Sequence, residues 1–210
     1  MNGSHYRNAM TKAKQPYHEI ISPEKVYSRS DILVRKNCPV PKEEGLYGWY
    51  FRNLPSIIPM KGCLKFNDLT LLYVGISPKA PPKNGKTPSR ENLYKRIRYH
   101  MRGNAEGSTL RLTLGCLLKD NLEIELRRVG SGKRMTFTDG EAKLSEWMED
   151  NAFVVWANNP EAWILEEELI TKLSLPLNLK GNENHKFYAT LSKLRKEARE
   201  RAKKLAVWHR

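Results

Sequence analysis

The sequence predicts an α+β fold in which helices flank a small central β-sheet. The segment 45–51, GLYGWYF, is rich in aromatic residues and predicts one strand. Residues 69–76 are predominantly apolar, which predicts a second strand in the interior of the sheet. Segments such as 160–173 repeat apolar residues every three or four positions and predict the surrounding helices.

The N-terminal segment 1–42 has little periodicity and predicts an irregular arm with one short helix near residues 23–30. Four prolines interrupt the segment: Pro16, Pro23, Pro39 and Pro41. Residues 53–68, between the two strands, contain two prolines and a glycine and predict a long loop.

The stretch after the second strand predicts a helix that begins after Ser89, a favourable N-cap, and ends near Gly103. Another helix is predicted over 109–118. In 122–129 apolar and charged residues alternate, which favours a strand, although a helix remains open.

In the last part of the chain the sequence predicts a helix, a short strand and two further helices. A capping box at 138–141 predicts a helix over 142–149, and the apolar segment 153–156 predicts a short strand. Pro160 suits the first position of the next helix, and the last helix is predicted over about 186–205.

These elements predict three parts of the chain. An irregular arm at 1–42 precedes a central domain at 43–180, which contains insertions at 53–68 and about 119–150. A basic C-terminal helix at 181–210 is expected to pack on the domain.

The charge balance favours a polyanionic partner. The 37 Lys and Arg residues exceed the 23 Asp and Glu residues, which gives a formal net charge of +14. Cationic side chains release counterions when they neutralise phosphates, so this excess favours a nucleic acid. A basic protein without a polyanionic partner is the alternative.

The three cysteines, Cys38, Cys63 and Cys116, lie far apart and lack the paired spacing of zinc or redox sites. We therefore expect reduced thiols, a cytoplasmic protein and no bound zinc. No window of about 18 residues is continuously apolar. No charged-then-apolar leader opens the chain either, so we expect neither a membrane span nor a secretory signal.

One carboxylate lies on the apolar side of the predicted helix 160–173. Glu166 falls within the apolar arc of that helix, whereas Glu167 and Glu168 fall outside it. An unpaired charge on a core face costs several kcal/mol, so Glu166 requires a partner. That partner is a bound metal ion, a buried arginine in an ion pair, or a dense set of hydrogen-bond donors.

Arg96 and His100 lie one turn apart, along one edge of the apolar face of the helix predicted after Ser89. Two cationic groups do not attract each other, but their spacing suits the binding of one anion from two sides. The alternative is that the two residues form a half-exposed polar edge of the helix and bind no ligand.

Two tyrosines lie in related tripeptides on the predicted strands: Tyr47 in Gly-Leu-Tyr and Tyr73 in Tyr-Val-Gly. Each alone would be an ordinary sheet aromatic. Four polar residues follow them in order: Arg96, His100, Glu166 and, twelve positions after Glu166, Asn178. This ordered set resembles the GIY-YIG nucleases, which are named for the two tripeptides. The RIRYH stretch and the spacing of twelve most resemble the restriction-endonuclease branch.

The resemblance implies a mostly antiparallel sheet and a phosphodiesterase site made of six residues: Tyr47, Tyr73, Arg96, His100, Glu166 and Asn178. Glu166 would bind one divalent cation, Mg²⁺, for which Mn²⁺ could substitute. Arg96 would stabilise charge on the phosphate, and Tyr47, aided by His100 or a neighbouring cation, would be the general base. Tyr73 would hydrogen-bond the water or the phosphate, and Asn178 would anchor the site.

The resemblance also implies the activity: a metal-dependent endonuclease acting on double-stranded DNA, in restriction or other defence against foreign DNA. Cutting both strands of a palindromic site with one site per chain would require a homodimer. A repair or structure-specific nuclease is one alternative. A nucleic-acid-binding protein without turnover is another, although such a protein has no use for an acid on a core face.

Two basic segments are expected to contact the DNA backbone. The loop before the Arg96 helix carries Lys79, Lys83, Lys86 and Arg90, and the C-terminal helix carries Arg195 and Arg199. For the loop, the alternative is a solvent-exposed connection that does not contact DNA. The alternative for the helix is a basic outer face on an element docked to the core.

Overall fold

The computed structural model describes residues 16–82, 84, 87 and 89–209. In this part of the chain the strands are β1 (Gly45–Phe51), β2 (Lys65–Phe66), β3 (Leu69–Ser77), β4 (Arg127–Val129), β5 (Arg134–Thr136) and β6 (Ala152–Asn158). The helices are α1 (His18–Ile21), α2 (Arg29–Ile32), α3 (Leu93–Arg102), α4 (Thr109–Leu117), α5 (Lys119–Leu122), α6 (Gly140–Asn151), α7 (Ala162–Lys172) and α8 (Tyr188–Lys204).

The central sheet has four strands in the order β2-β3-β1-β6. All of its pairings are antiparallel, and β1 and β3 are the interior strands, a position that the apolar sequence of β3 predicts. β4 and β5 form a separate two-stranded hairpin. A small antiparallel sheet flanked by helices confirms the predicted α+β class.

β1 is buried on both faces because its side chains alternate between two helical layers. Tyr47, Trp49 and Phe51 face a core to which α3, α4, α6 and α8 contribute. Leu46 and Tyr50 face a second core to which α1 and α7 contribute. The sheet is therefore the middle of three layers, and a side chain on either face of β1 meets a helix.

The described part of the arm, residues 16–42, packs on this core. It contains two short helices, α1 and α2, whereas the sequence predicts one near 23–30. Ile20 and Ile32 are fully buried, and the Tyr50 hydroxyl donates a hydrogen bond to the Ile20 carbonyl oxygen over 2.8 Å. These residues therefore cover the sheet.

α3 begins at Leu93, later than the start after Ser89 that the sequence predicts. Asn92 is the N-cap, and its side chain accepts a hydrogen bond from the first turn. The N–H groups of Leu93 and Tyr94 donate to carbonyl groups in the segment 41–43. This tertiary pairing fixes the start of the helix that carries Arg96 and His100.

The insertion after α4 forms a short helix and a hairpin rather than the strand favoured over 122–129. α5 ends at Leu122, its C-cap Glu123 has the left-handed backbone conformation (φ 52°), and only β4 within that range is a strand. Arg128 donates hydrogen bonds to two carbonyl groups at the end of α8. The hairpin is thus attached to the C-terminal helix.

The predicted capping box at 138–141 does not form, because Glu141 has a stronger partner. Its carboxylate accepts hydrogen bonds from the fully buried Arg111 over 2.7 and 2.9 Å, and from the N–H groups of Ala105 and Phe137. A guanidinium attracts a carboxylate more strongly than a neutral N–H does. The Arg111–Glu141 pair joins α4 to α6 directly behind the His100 backbone.

The remaining predicted helices and strands occur close to their predicted positions, among them α4, β6, α7 and α8. α8 packs on the domain through Leu191 and Ala202, which are fully buried. In the part of the chain that the structure describes, no helix combines the length and the apolar character needed to cross a bilayer.

Candidate functional site

Tyr47 and Tyr73 lie on the same face of the sheet. In the β1–β3 register Tyr47 is opposite Gly75, and Trp49 is opposite Tyr73. Because Tyr73 and Gly75 are two positions apart, their side-chain directions agree, and both tyrosines point towards the layer that contains α3. The two tripeptides therefore meet on one surface of the paired strands β1 and β3.

Gly75 leaves room for Tyr47. A Cβ atom at position 75 would lie 2.7 Å from Tyr47 Oη and 2.8 Å from Cζ, well inside van der Waals contact. Gly45 has a similar role at the start of β1, where a Cβ atom would overlap the Ala157 carbonyl oxygen on β6. At both tripeptide glycines, therefore, a Cβ atom would overlap a neighbouring group, the Tyr47 ring at Gly75 and the Ala157 backbone at Gly45.

Tyr47 Oη contacts both Arg96 and His100 on α3. His100 Nε2 lies 2.9 Å from this oxygen, and Arg96 Nε donates to it over 3.5 Å. Arg96 is half-buried, and its Nη1 also donates to the Gly107 carbonyl oxygen over 3.0 Å. The helical spacing of four residues places both side chains on the Tyr47 hydroxyl.

His100 does not bind an anion together with Arg96, which corrects the interpretation drawn from their spacing. Its side chain is fully buried, and its Nδ1 lies 2.7 Å from Ser108 Oγ while Nε2 contacts Tyr47. Both ring nitrogens are therefore occupied. The imidazole lies beneath Tyr47 and edge-on to Trp49, so only Arg96 of this pair can reach a ligand.

Burial sets the protonation states of this group. It holds the pKa of His100 well below its usual value, with Arg96 and Arg111 acting in the same direction, so the ring is neutral at neutral pH. Burial also raises the pKa of Tyr47, which the nearby Tyr73 raises further and Arg96 opposes. The free protein therefore holds a neutral phenol over a neutral imidazole.

Tyr73 is half-buried and shares the same surroundings. Burial raises the pKa of its phenol, whereas a hydrogen bond from Thr109 and the charges of Arg96 and Arg195 oppose that rise. Two cationic side chains, one from α3 and one from α8, thus act on Tyr73. Such a position suits the binding of an anion beside the phenol.

Glu166 has no ion-pair or hydrogen-bond partner among the described residues. Burial raises the pKa of its carboxyl to about 7, an effect that Lys180 partly opposes. Its negative charge also raises the pKa of Tyr47 and of Tyr73, so it acts on the same site. The buried arginine that the sequence left open as a partner is not present in the described part of the chain.

The neighbouring acids on α7 differ from Glu166. Glu168 accepts hydrogen bonds from Tyr17 over 2.8 Å and from Lys172, and Glu167 is exposed. Charge on that side of the helix is therefore neutralised or solvated. Glu166 is the half-buried acid of this helix that has neither an ion-pair nor a hydrogen-bond partner among the described residues.

Asn178 is fully engaged with the backbone of β3. Its Oδ1 accepts from the Val74 N–H and its Nδ2 donates to the Val74 carbonyl oxygen, each over 2.9 Å. The side chain is buried and extends the edge of β3 between Tyr73 and Gly75. It joins the segment after α7 to the strand that carries Tyr73.

The basic residues predicted to contact DNA lie in two places. Lys79 and Arg90 are exposed in the segment between β3 and α3, and Lys83 and Lys86 lie outside the described residues. On α8, burial lowers the pKa of the half-buried Arg195, whose Nε has no hydrogen-bond partner among the described residues, and Arg199 is exposed. The charge of Arg195 acts on Tyr73, and Arg199 lies one turn further along α8.

Sequence reasoning missed the residues that support the site, namely Gly107, Ser108, Thr109 and Arg111. A serine directly before an apolar helix is an N-cap signal, and Ser108 caps α4. That signal locates Ser108 but not its contact with His100, which depends on the packing of α3 against α4.

Comparison with protein families gives a match over most of the chain. A profile described as the GIY-YIG catalytic domain matches residues 45–197, which include every predicted site residue from Tyr47 to Asn178 as well as Arg195. Comparison with curated proteins and with solved structures gives no significant match. The match covers more than half of the chain and agrees with the observed α+β fold, so the chain belongs to the GIY-YIG catalytic-domain family.

Proposed function

We propose that the protein is a divalent-metal-dependent endonuclease that hydrolyses phosphodiester bonds in double-stranded DNA. Membership of a nuclease family supports this activity. The observation that carries the proposal is the Glu166 carboxylate, which lies half-buried without a partner among the described residues and acts on both site tyrosines. A protein that only bound nucleic acid would gain nothing from it, because its charge repels phosphate.

The residues around Glu166 fit Mg²⁺ as the cation. Proteins bind Mg²⁺ through one or two carboxylates together with waters and substrate phosphates, whereas structural zinc takes four protein ligands. Within the described ranges, no group of three or more His, Cys, Asp or Glu side chains could share one ion. We propose Glu166 as the protein ligand of Mg²⁺, with Mn²⁺ as a substitute.

When bound, the cation would polarise the scissile phosphate and stabilise the leaving 3′ oxygen. Arg96 would stabilise the negative charge that develops on the phosphate. Its bonds to Tyr47 and to the Gly107 carbonyl orient the guanidinium, and its remaining N–H groups have no partner in the described structure. A planar donor held in this way suits two phosphate oxygens at once.

Tyr47 is the proposed general base for the attacking water. Its raised pKa means that the phenol gives up its proton only when its oxygen is stabilised. Arg96 donates a hydrogen bond to that oxygen, and such a donor stabilises the phenolate relative to the phenol. We propose that Tyr73 orients the water or the phosphate and that Asn178, through Val74, holds β3 in place beneath it.

The proposed path of the DNA backbone passes from Lys79 and Arg90 across the site towards Arg195 and Arg199. Arg195 links this path to the site, because its charge lowers the pKa of Tyr73. The net charge of +14 supports a polyanionic substrate. Lys83 and Lys86 are proposed to contribute to the same path from outside the described residues.

We further propose that the nuclease acts in the cytoplasm, in restriction or other defence against foreign DNA. The RIRYH stretch and the twelve-residue spacing from Glu166 to Asn178 support this branch of the family. All three cysteines are free, as in a reducing compartment. Cutting both strands at one palindrome would require two copies of the chain.

Gly75→Ala tests whether the tripeptide glycine positions Tyr47. The added methyl group would overlap the Tyr47 ring and push its hydroxyl away from His100 and Arg96. Cleavage is expected to fall by roughly 100-fold, since about 1 Å of displacement can cost that much. DNA binding, measured by filter retention in Ca²⁺, should persist. A variant that cleaves at the unaltered rate would show that Tyr47 needs no such placement.

The proposed activity can be tested by digestion of mixed-sequence duplex DNA and sequencing of the new ends. We expect cleavage with Mg²⁺ that stops on chelation and leaves 5′-phosphate and 3′-hydroxyl ends. A common sequence at the ends would support restriction, and cutting confined to branched DNA would favour a structure-specific nuclease. No cleavage with Mg²⁺ or Mn²⁺ would contradict the proposal.

A further inference from the structure

Ser108 connects the start of α4 to the Tyr47–His100 pair. Its hydroxyl oxygen accepts the cap hydrogen bond from the Arg111 N–H over 3.1 Å and lies 2.7 Å from His100 Nδ1. The serine is fully buried, so water does not reach this hydroxyl. All of its hydrogen bonds must therefore be made within the protein.

The direction of the Ser108–His100 hydrogen bond follows from the number of hydrogens available. The Ser108 hydroxyl has one hydrogen, and its oxygen already accepts from Arg111. Among the described residues, His100 Nδ1 is the one acceptor within reach of that hydrogen. The serine therefore donates, and Nδ1 accepts without a hydrogen of its own.

This direction determines which nitrogen of His100 carries the proton. The neutral imidazole carries one hydrogen, and Nδ1 is an acceptor, so the hydrogen is on Nε2. Nε2 then donates to Tyr47 Oη over 2.9 Å. In the opposite tautomer Nδ1–H would face Ser108, and the buried serine hydrogen would have no acceptor, which is unfavourable.

We propose that Ser108 is a positioning residue that holds His100 as the Nε2–H tautomer, so that the Tyr47 oxygen accepts hydrogen bonds from both His100 and Arg96. This proposal rests on the proposed nuclease function. With two donors on its oxygen, the phenol directs its own hydrogen away from the imidazole and the guanidinium. The same two donors stabilise the phenolate that a general base requires.

The arrangement also excludes one proton path. An Nε2 atom that already carries a hydrogen cannot accept the Tyr47 proton, so His100 assists as a donor and not as a base. Arg111 supports this state from behind, because its guanidinium contacts the His100 carbonyl oxygen and disfavours an imidazolium. The contribution of His100 is therefore the orientation and stabilisation of the Tyr47 oxygen.

The tautomer is measured directly by ¹⁵N NMR of the imidazole side chains in the full chain, with the His100 signals identified by their loss in His100→Gln. We expect Nε2 to carry the hydrogen and Nδ1 to show the shift of a bare acceptor. A hydrogen on Nδ1 would overturn the proposal. This readout does not depend on cleavage, so it stands apart from a failure of the nuclease function, which would appear as an unaltered protein that cuts no DNA.

Variants of Ser108 connect the tautomer to the rate. Ser108→Ala is expected to mix the two tautomers and to slow cleavage by roughly 10- to 100-fold, within the range of acid–base contributions, while DNA binding persists. Ser108→Thr keeps the hydroxyl and is expected to restore both the tautomer and the rate. Ser28→Ala, which removes a comparable serine cap from α2, should change neither.

Two results would overturn the role of Ser108. One is an unaltered cleavage rate in Ser108→Ala. The other is a slower Ser108→Ala variant in which the His100 nitrogens keep the signals of the unaltered protein, because a rate loss without a change of tautomer would show a structural cap only.

Discussion

Replacing Arg96 by Lys is expected to lower the rate of DNA cleavage by roughly 100- to 1,000-fold, the cost of losing one donor to a developing oxyanion. Lys keeps the positive charge but has no planar fork, so it cannot contact Tyr47 Oη, the Gly107 carbonyl and a phosphate at the same time. Affinity for DNA should change little, because the charge remains. Single-turnover cleavage and binding in Ca²⁺ separate the two effects.

Arg102→Lys is the matched control for this change. Arg102 lies in the last turn of the same helix and is exposed. Its replacement should leave cleavage unaltered. If Arg96→Lys also cleaves nearly as fast as the unaltered protein, Arg96 has a structural role and the proposed placement of the phosphate is wrong.

Glu166→Gln is expected to abolish Mg²⁺-dependent cleavage and to raise the stability of the metal-free protein. Gln is nearly isosteric, so the change removes the charge that would bind the cation while keeping the packing. The Glu166 charge has no partner among the described residues, and its removal relieves an unfavourable burial. DNA binding should survive, since the proposed phosphate contacts lie elsewhere.

The stability difference should depend on pH in a defined direction. The carboxyl pKa is about 7 in the folded protein against an ordinary value of 4.5, so ionisation costs folding stability. This cost begins above the ordinary value and is complete above the folded value. Glu166→Gln should therefore be more stable by about 3 kcal/mol near pH 8, with the difference vanishing near pH 4, as urea unfolding would measure.

Glu167→Gln is the appropriate control, because Glu167 is exposed and neighbours Glu166. Glu168 is less suitable, since its replacement would also disturb the bonds to Tyr17 and Lys172. A loss of about 3 kcal/mol or more in Glu166→Gln would show that Glu166 neutralises a buried cation. That result would contradict its assignment as a metal ligand.

The parts of the fold that could be predicted from sequence are those set by local pattern. Aromatic and aliphatic runs indicated β1 and β3, and the position of Glu166 on an apolar arc distinguished it from Glu167 and Glu168. The ordered set of tyrosines and polar residues indicated the family. Each of these signals depends on spacing along the chain, which the sequence states directly.

The features that could not be predicted depend on contacts between distant segments. α3 begins at Leu93 because the segment 41–43 accepts its first N–H groups, and Glu141 leaves its expected cap because Arg111 is nearby. The burial of His100 has the same origin. A histidine beside an arginine on one helix edge suggests two exposed cations, but Tyr47 and Ser108 satisfy both ring nitrogens in the core.

The most direct test of a metal-dependent site at Glu166 is the initial rate of plasmid cleavage as a function of Mg²⁺ concentration, compared for the unaltered protein, Glu166→Gln and Glu167→Gln. We expect saturable Mg²⁺ dependence for the unaltered protein and for Glu167→Gln, and no cleavage by Glu166→Gln at any Mg²⁺ concentration. Cleavage by Glu166→Gln at the rate of the unaltered protein would contradict the proposed mechanism.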